Sequence, residues 1–396
     1  MTQAHSLDGN GKAEGPAKSD GAARPNVSGF GQIVMVLQGG GALGAYQAGV
    51  YQALHEAGIE PDWVIGTSIG AINASLIAGN QPEQRLAKLV EFWWNRVGPN
   101  PVLEAAASVP GIGHGWSNWM TLTTGIPGFF TPNPLAFLGL DLPLPVDAAG
   151  YYSTSPLEET LSNLVDFTAL NGGPTRLTVG AAHVQTGEMR YFDSRDTKLT
   201  VRHVMASGAL PPAFPAVRID GELYWDGGVL SNTPVEAVFD DNPRRNSLVF
   251  AVHMWNPGGP EPKTIRGVLN RQKDVQYASR AVSHIRRQKQ LHRLRHIIAE
   301  LAMRLPEGER ETNLVREMAS YGCLTHMHVV RLLAPPLEGE DHTKDIDFSR
   351  KGIRCRWTAG YEDTRRVLAD APWEAKVDPI EGFYLHECRP ATAPMG

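Results

Sequence analysis

Residues Gln32–Leu37 (QIVMVL) are a short, unbroken run of apolar and β-branched side chains flanked by glycines. A run without alternation predicts a strand covered on both faces, since a half-exposed strand would alternate apolar with polar positions. The chain then passes Gly39-Gly40-Gly41-Ala42-Leu43-Gly44 and enters a stretch in which Val50, Leu54 and Ala57 recur at helical spacing up to Gly58, a residue suited to ending a helix. After Pro61-Asp62 a second apolar run, Trp63-Val64-Ile65, breaks at Gly66 and continues as a helix-like stretch, Ala71 to Ile77, ending at Gly79. Strand, glycine loop, helix, strand, sharp turn and helix follow one another. That alternation predicts a parallel sheet with helices on its faces.

From Gly98 to Gly150 the periodicity is lost. Prolines and glycines are dense, and Trp116, Trp119, Phe129, Phe130, Phe137 and Leu138 appear without a regular spacing. A long irregular segment with this aromatic content reads as a lid whose aromatic face meets apolar substrate. Regular patterning returns with a helix near Leu157–Val165, a hairpin pairing Arg176–Val184 with Met189–Phe192, a helix near Val201–Ser207, and strands at Leu223–Trp225 and Leu248–His253. Beyond Pro257 the chain turns basic and helical. The expected organisation is a disordered tail over 1–29, a catalytic domain over 30–256 with the insertion 98–150, and a helical extension over 257–396.

Composition narrows the class. The 396 residues are 42% hydrophobic and 20% charged with a net charge of −5, which excludes a wholly disordered or collagen-like chain. No apolar run reaches the ~18 residues that span a bilayer. Residues Met1–Ser28 lack the apolar centre of a secretory signal. Cys323, Cys355 and Cys388 are odd in number, with no CxxC and no paired histidine spacing, so neither a disulfide framework nor a metal site is expected. These features together predict a cytoplasmic setting.

Two glycine motifs carry chemistry. Gly66-Thr67-Ser68-Ile69-Gly70 fits G-x-S-x-G, which places a serine on a strained turn between strand and helix. There the Ile69 N–H and the helix dipole favour developing negative charge. The alternative is a turn with a helix-capping serine; the apolar strand before the motif and the helix after it favour the catalytic reading. Gly39, Gly41 and Gly44 also satisfy G-x-G-x-x-G, the dinucleotide fingerprint, which would make the chain a nucleotide-dependent oxidoreductase. That fingerprint needs an acid at the end of the next strand, and Asp62 stands before the strand instead. Successive glycines present backbone N–H groups that can hold an oxyanion beside Ser68, and a purely structural turn is the third alternative.

Serine needs a base. His203 lies inside a helix pattern and His253 inside an apolar strand, so both read as structural. Asp226 follows an aromatic strand and precedes Gly227-Gly228, the position at a strand end where open α/β sheets place their sites; its plainer reading is a turn aspartate.

Gly39-Gly40-Gly41-x-x-Gly44, Gly66-x-Ser68-x-Gly70 and Asp226-Gly227-Gly228, in this order and with Ala206–Pro215 before the aspartate, resemble the patatin-like phospholipases over about residues 32–253. The resemblance implies a three-layer α/β/α sandwich with a mostly parallel sheet and hydrolysis of lipid acyl esters without a cofactor or metal. Ser68 and Asp226 would be the dyad, with Gly39, Gly40, Gly41 and Ile69 lining the oxyanion hole; Gly44, Gly66, Gly70, Gly227 and Gly228 would shape the turns. Members commonly carry Arg or Lys where this chain has Leu43, so an anion contact from that position is absent. Asp345–Arg350 (DIDFSR) and Trp357-x-x-Gly360 resemble the tail of an uncharacterised bacterial subgroup, for which no function is implied. The other functional classes are a non-catalytic scaffold on membranes or storage granules, against which the intact Ser68 and Asp226 count, and a storage-polyester depolymerase.

The stretch Lys263–Arg304 carries eleven Lys and Arg against Asp274 and Glu300, a net +9. Ala278, Val282, Ile285, Leu294, Ile298, Leu301 and Leu305 recur at helical spacing, with Gln288 in the place of an expected apolar residue. The pattern predicts a helix with one face docked on the core. The basic remainder is either solvated or a seat for anionic membrane through Arg286, Arg287, Arg293 and Arg295; nucleic acid is disfavoured because Tyr277 is the lone aromatic.

Overall fold

The computed structural model describes residues 25–98, 121–139, 141, 143–337, 340–378 and 380–387, excepting the side chains of 137 and 279–281. Trp116, Trp119 and Cys388 lie outside the described residues. One sheet of nine strands forms the centre: β1 (Gln32–Leu37), β2 (Trp63–Thr67), β3 (Arg176–His183), β4 (Met189–Asp193), β5 (Val217–Ile219), β6 (Glu222–Asp226), β7 (Ser247–His253), β8 (Met327–Leu333) and β9 (Phe383–Glu387). The order across it is β9-β8-β7-β1-β2-β3-β6-β5, with β4 pairing β3. From β9 to β3 the neighbours are parallel, whereas β4, β5 and β6 join antiparallel.

The unbroken apolar runs are explained by cover on both faces. In β1, Met35 and Leu37 point into a cluster with Tyr46, Ile72 and Trp357, while Val34 and Val36 point into a second cluster with Phe239, Ile285 and Phe383. The first layer is built by helices α1 (Ala45–Glu56), α2 (Ile69–Ala78), α3 (Val201–Ser207) and α5 (Arg350–Asp370), and α4 (Ile265–Arg304) contributes to the other. This is the expected three-layer α/β/α arrangement.

Three expectations are corrected. The region after Pro257, read as a helical extension, also supplies β8 and β9, which extend the same sheet in parallel register from β7. Met327, Val329, Val330 and Leu332 are buried, but the run is short and follows a long basic stretch that dominates the local pattern. Second, Phe129 and Phe130 are 9% and 6% exposed and pack in the main core against Phe214, with Phe130 also against Tyr152 and Phe129 against Phe348. They do not present a lipid-facing surface; the exposed apolar residues of that segment include Leu122, Leu135, Leu138 and Val146. Third, α4 buries Asp274, Ala278, Ile285, His292 and His296, whereas Leu294 and Leu301 are 56% and 60% exposed. The docked face follows a spacing close to seven residues, and polar members complete it. His292 and His296 both direct Nε2 to the Thr325 carbonyl, at 2.7 and 2.8 Å, so a hydrogen bond takes the place of an apolar contact.

Candidate active site

All five residues of β2 are buried, and the chain leaves the strand through Ser68 at φ 56°, ψ −127° to enter α2. A serine at positive φ is held there only when its surroundings over-determine it. Two glycines allow the turn: a Cβ on Gly66 would stand 2.3 Å from the Gly70 carbonyl, and one on Gly70 would stand 2.2 Å from the Leu37 oxygen. The Ser68 N–H donates to Ser207 Oγ at 3.0 Å, and Ser207 Oγ donates in turn to the Gly180 carbonyl at 2.5 Å. Ser207, from α3, thus ties the strained turn to β3. Sequence reasoning noticed its surroundings, Ala206–Pro215, and gave Ser207 itself no role.

Pairing on β3 brings Asp226 to Ser68. Thr67, the last residue of β2, is in register with Gly180; Asp226, the last residue of β6, is in register with Ala181. Gly180 and Ala181 both pair with β4 on their other side, so β2 and β6 share one edge of β3 and meet with their C-terminal ends abutting. A Cβ on Gly227 would lie 2.5 Å from the Gly180 oxygen, which makes that close approach a glycine requirement.

Asp226 is 2% exposed. The Gly228 N–H donates to its carboxylate at 2.7 Å. Burial pushes its pKa up to about 6, while the neighbouring Ser68 side chain and the Gly228 N–H pull the other way. A buried carboxylate of raised basicity beside a serine side chain is an arrangement that can accept a proton near neutral pH.

The glycine loop lies beside this pair. The Gly39 N–H donates to the Asn232 carbonyl at 3.1 Å, so it cannot also donate to an oxyanion, contrary to its expected role. Its lack of a side chain serves instead to admit Asn232 Oδ1, which a Cβ would meet at 2.3 Å, and Ser68 Cβ, at 3.1 Å. Among the described residues the N–H groups of Gly40, Gly41 and Ile69 have no protein acceptor. Gly41 adopts φ 56°, and a Cβ there would stand 2.2 Å from the Asp345 carbonyl oxygen. The C-terminal motif DIDFSR therefore packs directly on the loop.

Gln38 holds the loop from behind. Fully buried, it accepts from the Met254 and Trp255 N–H groups at 2.5 and 3.1 Å and donates to Thr233 Oγ1 at 2.6 Å. The Gly39 carbonyl accepts from Asn232 Nδ2 at 3.1 Å and Trp255 Nε1 at 2.8 Å. Gln38, Asn232 and Trp255 went unnoticed in the sequence; a lone buried glutamine beside a glycine turn was the available signal. His203 caps α3 with Thr200, and His253 is buried in β7 with its pKa lowered by burial to about 3; neither bonds the Ser68–Asp226 pair. Asp62 accepts from the Ile33 N–H at 2.7 Å, a structural role. Leu43 is buried in the main core.

A family model described as patatin-like phospholipase matches residues 35–239, and a second, described as patatin phospholipase, matches 275–380. The chain belongs to the patatin-like phospholipase family. Among curated members, it is 28% identical over 209 residues to a patatin-like phospholipase domain-containing protein of Caenorhabditis elegans, covering 52% of this chain and 12% of that one. It is 59% identical over 46 residues to a lysophospholipase of Aspergillus terreus, covering 12% of this chain and 3% of that one. An uncharacterised NTE family protein from Mycobacterium tuberculosis is 24% identical over 255 residues, with 63% of this chain and 58% of the other covered. The chain thus spans only a small part of the first two relatives. Among solved structures, VipD of Legionella pneumophila aligns over 86% of this chain and 67% of its own, with a TM-score of 0.36 and 14% identity. The matched family segment contains both glycine motifs, Ser68 and Asp226, while the second match takes in α5 and most of α4.

Proposed function

We propose that the chain is a serine acyl-ester hydrolase acting on lipid, with Ser68 as nucleophile and Asp226 as its base. The observation that carries this reading is the strand pairing on β3 that brings Ser68, on its strained turn, to the buried carboxylate of Asp226, whose pKa burial raises. Asp226 takes the hydroxyl proton as Ser68 Oγ attacks the ester carbonyl carbon. The oxyanion that forms is held by N–H groups of Gly40, Gly41 and Ile69, each such donor contributing on the order of 3 kcal/mol to the transition state. The proton on Asp226 passes to the departing alkoxide, leaving acyl-Ser68. Water then gives its proton to Asp226 and attacks the acyl carbon, and Ser68 departs with that proton. The lipid character of the substrate rests on family membership and on relatives named as phospholipases. Labelling with a fluorophosphonate, mapped to Ser68 by mass spectrometry, together with a short panel of acyl esters, tests the reading; labelling elsewhere or not at all refutes it.

The base must be ionised to act. Because burial raises Asp226 to about 6, kcat/KM is expected to be flat above neutral pH and to fall about tenfold per pH unit below pH 6. A descent starting only near pH 4, the ordinary carboxylate range, would remove Asp226 from the role of base.

Peripheral contact with anionic membrane through residues 263–304 belongs to the same reading. Arg286 and Arg287 are exposed, and so are Leu294 and Leu301, a basic and apolar mixture suited to a charged lipid surface. Arg293 and Lys289 pair with Glu381 at 3.2 and 3.1 Å, which leaves them less available. Among the described residues no helix is long and apolar enough to cross a membrane. Replacing Arg286 and Arg287 by Gln is expected to weaken co-sedimentation with phosphatidylglycerol vesicles at low salt; equal binding to neutral vesicles would argue against the contact.

A further inference from the structure

Successive glycines are the most freely moving backbone a chain offers, yet donors stabilise an oxyanion only when they are already in place. The N–H groups of Gly40 and Gly41 have no protein acceptor among the described residues, so their place is set by what packs around them. Behind Gly40 lies Trp255: a Cβ on Gly40 would stand 3.1 Å from its Nε1, which donates to the Gly39 carbonyl at 2.8 Å. Against Gly41 lies the Asp345 carbonyl oxygen, in the space a Cβ would take.

Both walls are held by α4 and by one turn of the C-terminal region. The Trp255 ring lies 4.9 Å from that of Tyr277 and 5.2 Å from Lys344 Nζ. The Tyr277 carbonyl accepts from Gln38 Nε2 at 3.3 Å and Asn232 Nδ2 at 3.4 Å, the side chains that hold the loop. One turn earlier on α4, Lys273 and Asp274 form crossed ion pairs with Asp345 and Lys344. Lys273 Nζ reaches both Asp345 carboxylate oxygens, at 2.7 and 2.8 Å, and Lys344 Nζ meets Asp274 at 2.7 Å. The second pair is buried, its residues 9% and 8% exposed. Lys344–Ile346 is a tight turn, in which the Lys344 N–H donates to the Asp341 carbonyl at 3.1 Å and the Ile346 N–H to the Thr343 carbonyl at 3.0 Å. In a turn this short, anchoring both side chains also fixes the Asp345 carbonyl that lies on Gly41.

We propose that the two ion pairs are a clamp through which the C-terminal region sets the place of the Gly40 and Gly41 N–H groups, with Lys273, Asp274, Lys344 and Asp345 as positioning residues for the oxyanion. The inference rests on the Ser68–Asp226 reading above and gives the segment Asp345–Arg350 a part in the reaction. The four side chains act through backbone, by way of the Asp345 carbonyl and the Trp255 ring. With the clamp released, the loop regains its freedom and its N–H groups meet the oxyanion for only part of the time. That loss falls on the transition state and hardly on ester binding.

With a soluble short-chain ester, Lys344→Met is expected to lower kcat about tenfold and to change KM by about twofold or less. Affinity for a trifluoromethyl ketone of the same acyl chain, whose oxygen becomes an oxyanion when Ser68 adds to its carbonyl, is expected to fall by a like factor. Exchanging the buried pair, Asp274→Lys with Lys344→Asp, sets two lysines against two aspartates and is expected to restore kcat to within about threefold of the parent chain. Lys273→Gln opens the outer, partly exposed pair; it is expected to show the same pattern at about threefold and carries the test where Lys344→Met does not fold. Arg85→Met is the control. It breaks the Arg85–Glu60 pair, 2.5 Å long, which stands before the N-terminal end of β2, whereas Ser68 follows the C-terminal end. Its thermal midpoint is expected to fall while kcat and the ketone affinity stay within about twofold. Ketone affinity unchanged in the folded clamp variants, no recovery in a folded exchange variant, or an equal fall in Arg85→Met overturns the clamp alone. A wild-type chain in which a fluorophosphonate does not label Ser68 overturns the underlying reading and this inference with it.

Discussion

Ser68→Ala and Asp226→Asn are each expected to lower kcat by a factor on the order of 10^3 or more, and the double replacement to lower it no further than the worse of the two. The two side chains act as one unit, because the hydroxyl is a weak nucleophile without the carboxylate and the carboxylate has no proton to take without the hydroxyl. Losses that multiplied would show two independent contributions and break the assignment. Stability should respond in the opposite sense for Asp226→Asn. The buried carboxylate is ionised at pH 7.5 against a folded-state preference for the neutral form, shown by its raised pKa, whereas the unfolded chain ionises it freely. A neutral amide of the same shape still offers an oxygen to the Gly228 N–H, so the thermal midpoint is expected to rise. Circular dichroism melts at pH 7.5 and pH 5 check this, and the gain should shrink at the lower pH as Asp226 in the parent chain becomes protonated.

Gly360→Val is expected to destabilise the protein by about 3 kcal/mol, the upper range of overpacking in a close-packed interior. Helices α1 and α5 touch backbone to backbone: a Cβ on Gly360 would stand 2.0 Å from the Tyr46 carbonyl oxygen, and one on Gly49 would stand 1.9 Å from that of Trp357. Neither oxygen can yield without moving its helix. Around this contact Tyr46 Oη donates to Asp363 at 2.8 Å, Trp357 Nε1 donates to Gln52 at 2.6 Å and Tyr361 Oη donates to Glu56 at 2.6 Å, so a shift strains the whole crossing. Helix α5 starts two residues after Phe348, at the end of the segment that lies on Gly41. Displacement of the helix therefore carries to the glycine loop, and the fraction still folded is expected to show reduced kcat/KM as well. Gly308→Ala is the control, since a Cβ there meets nothing within 4 Å and should leave the urea midpoint unchanged. A Gly360→Val midpoint equal to that of the parent chain would mean the two helices separate without penalty.

The C-terminal region shows where reading a sequence loses its grip. Its helices were legible because a period near 3.6 is a local property. Its strands, β8 and β9, were not, because each is too short to show a period of its own and becomes a strand by pairing with β7 and with its partner. The face of α4 was misassigned for a related reason. Leu294 and Leu301 are more apolar than His292 and His296, yet the carbonyl of Thr325 lies on one side of the helix and gives the histidines a bonded place in the interior. Phe129 and Phe130 looked like a lipid-facing surface because aromatic content says how much apolar area there is and nothing about which way it points.

By itself the sequence determined the central strands, the turn at Ser68 and its glycines, since steric limits on φ and ψ and runs of apolar side chains act within a few residues. It also singled out Asp226, from a strand end followed by two glycines. What it left undecided was distance. Ser68 meets Asp226 because β2 and β6 end on adjacent residues of β3, Gly180 and Ala181, and register between strands remote in the chain is set by the packing of both faces of the sheet. The same packing engages the Gly39 N–H with Asn232 and leaves those of Gly40 and Gly41 without a protein acceptor, a distinction that three identical glycines in a row cannot express. Ser207 holding Ser68, Asp345 covering Gly41 and the Tyr277 carbonyl accepting from Gln38 and Asn232 belong to the same class: contacts between distant segments, decided when the core closes and each buried polar group must find its partner.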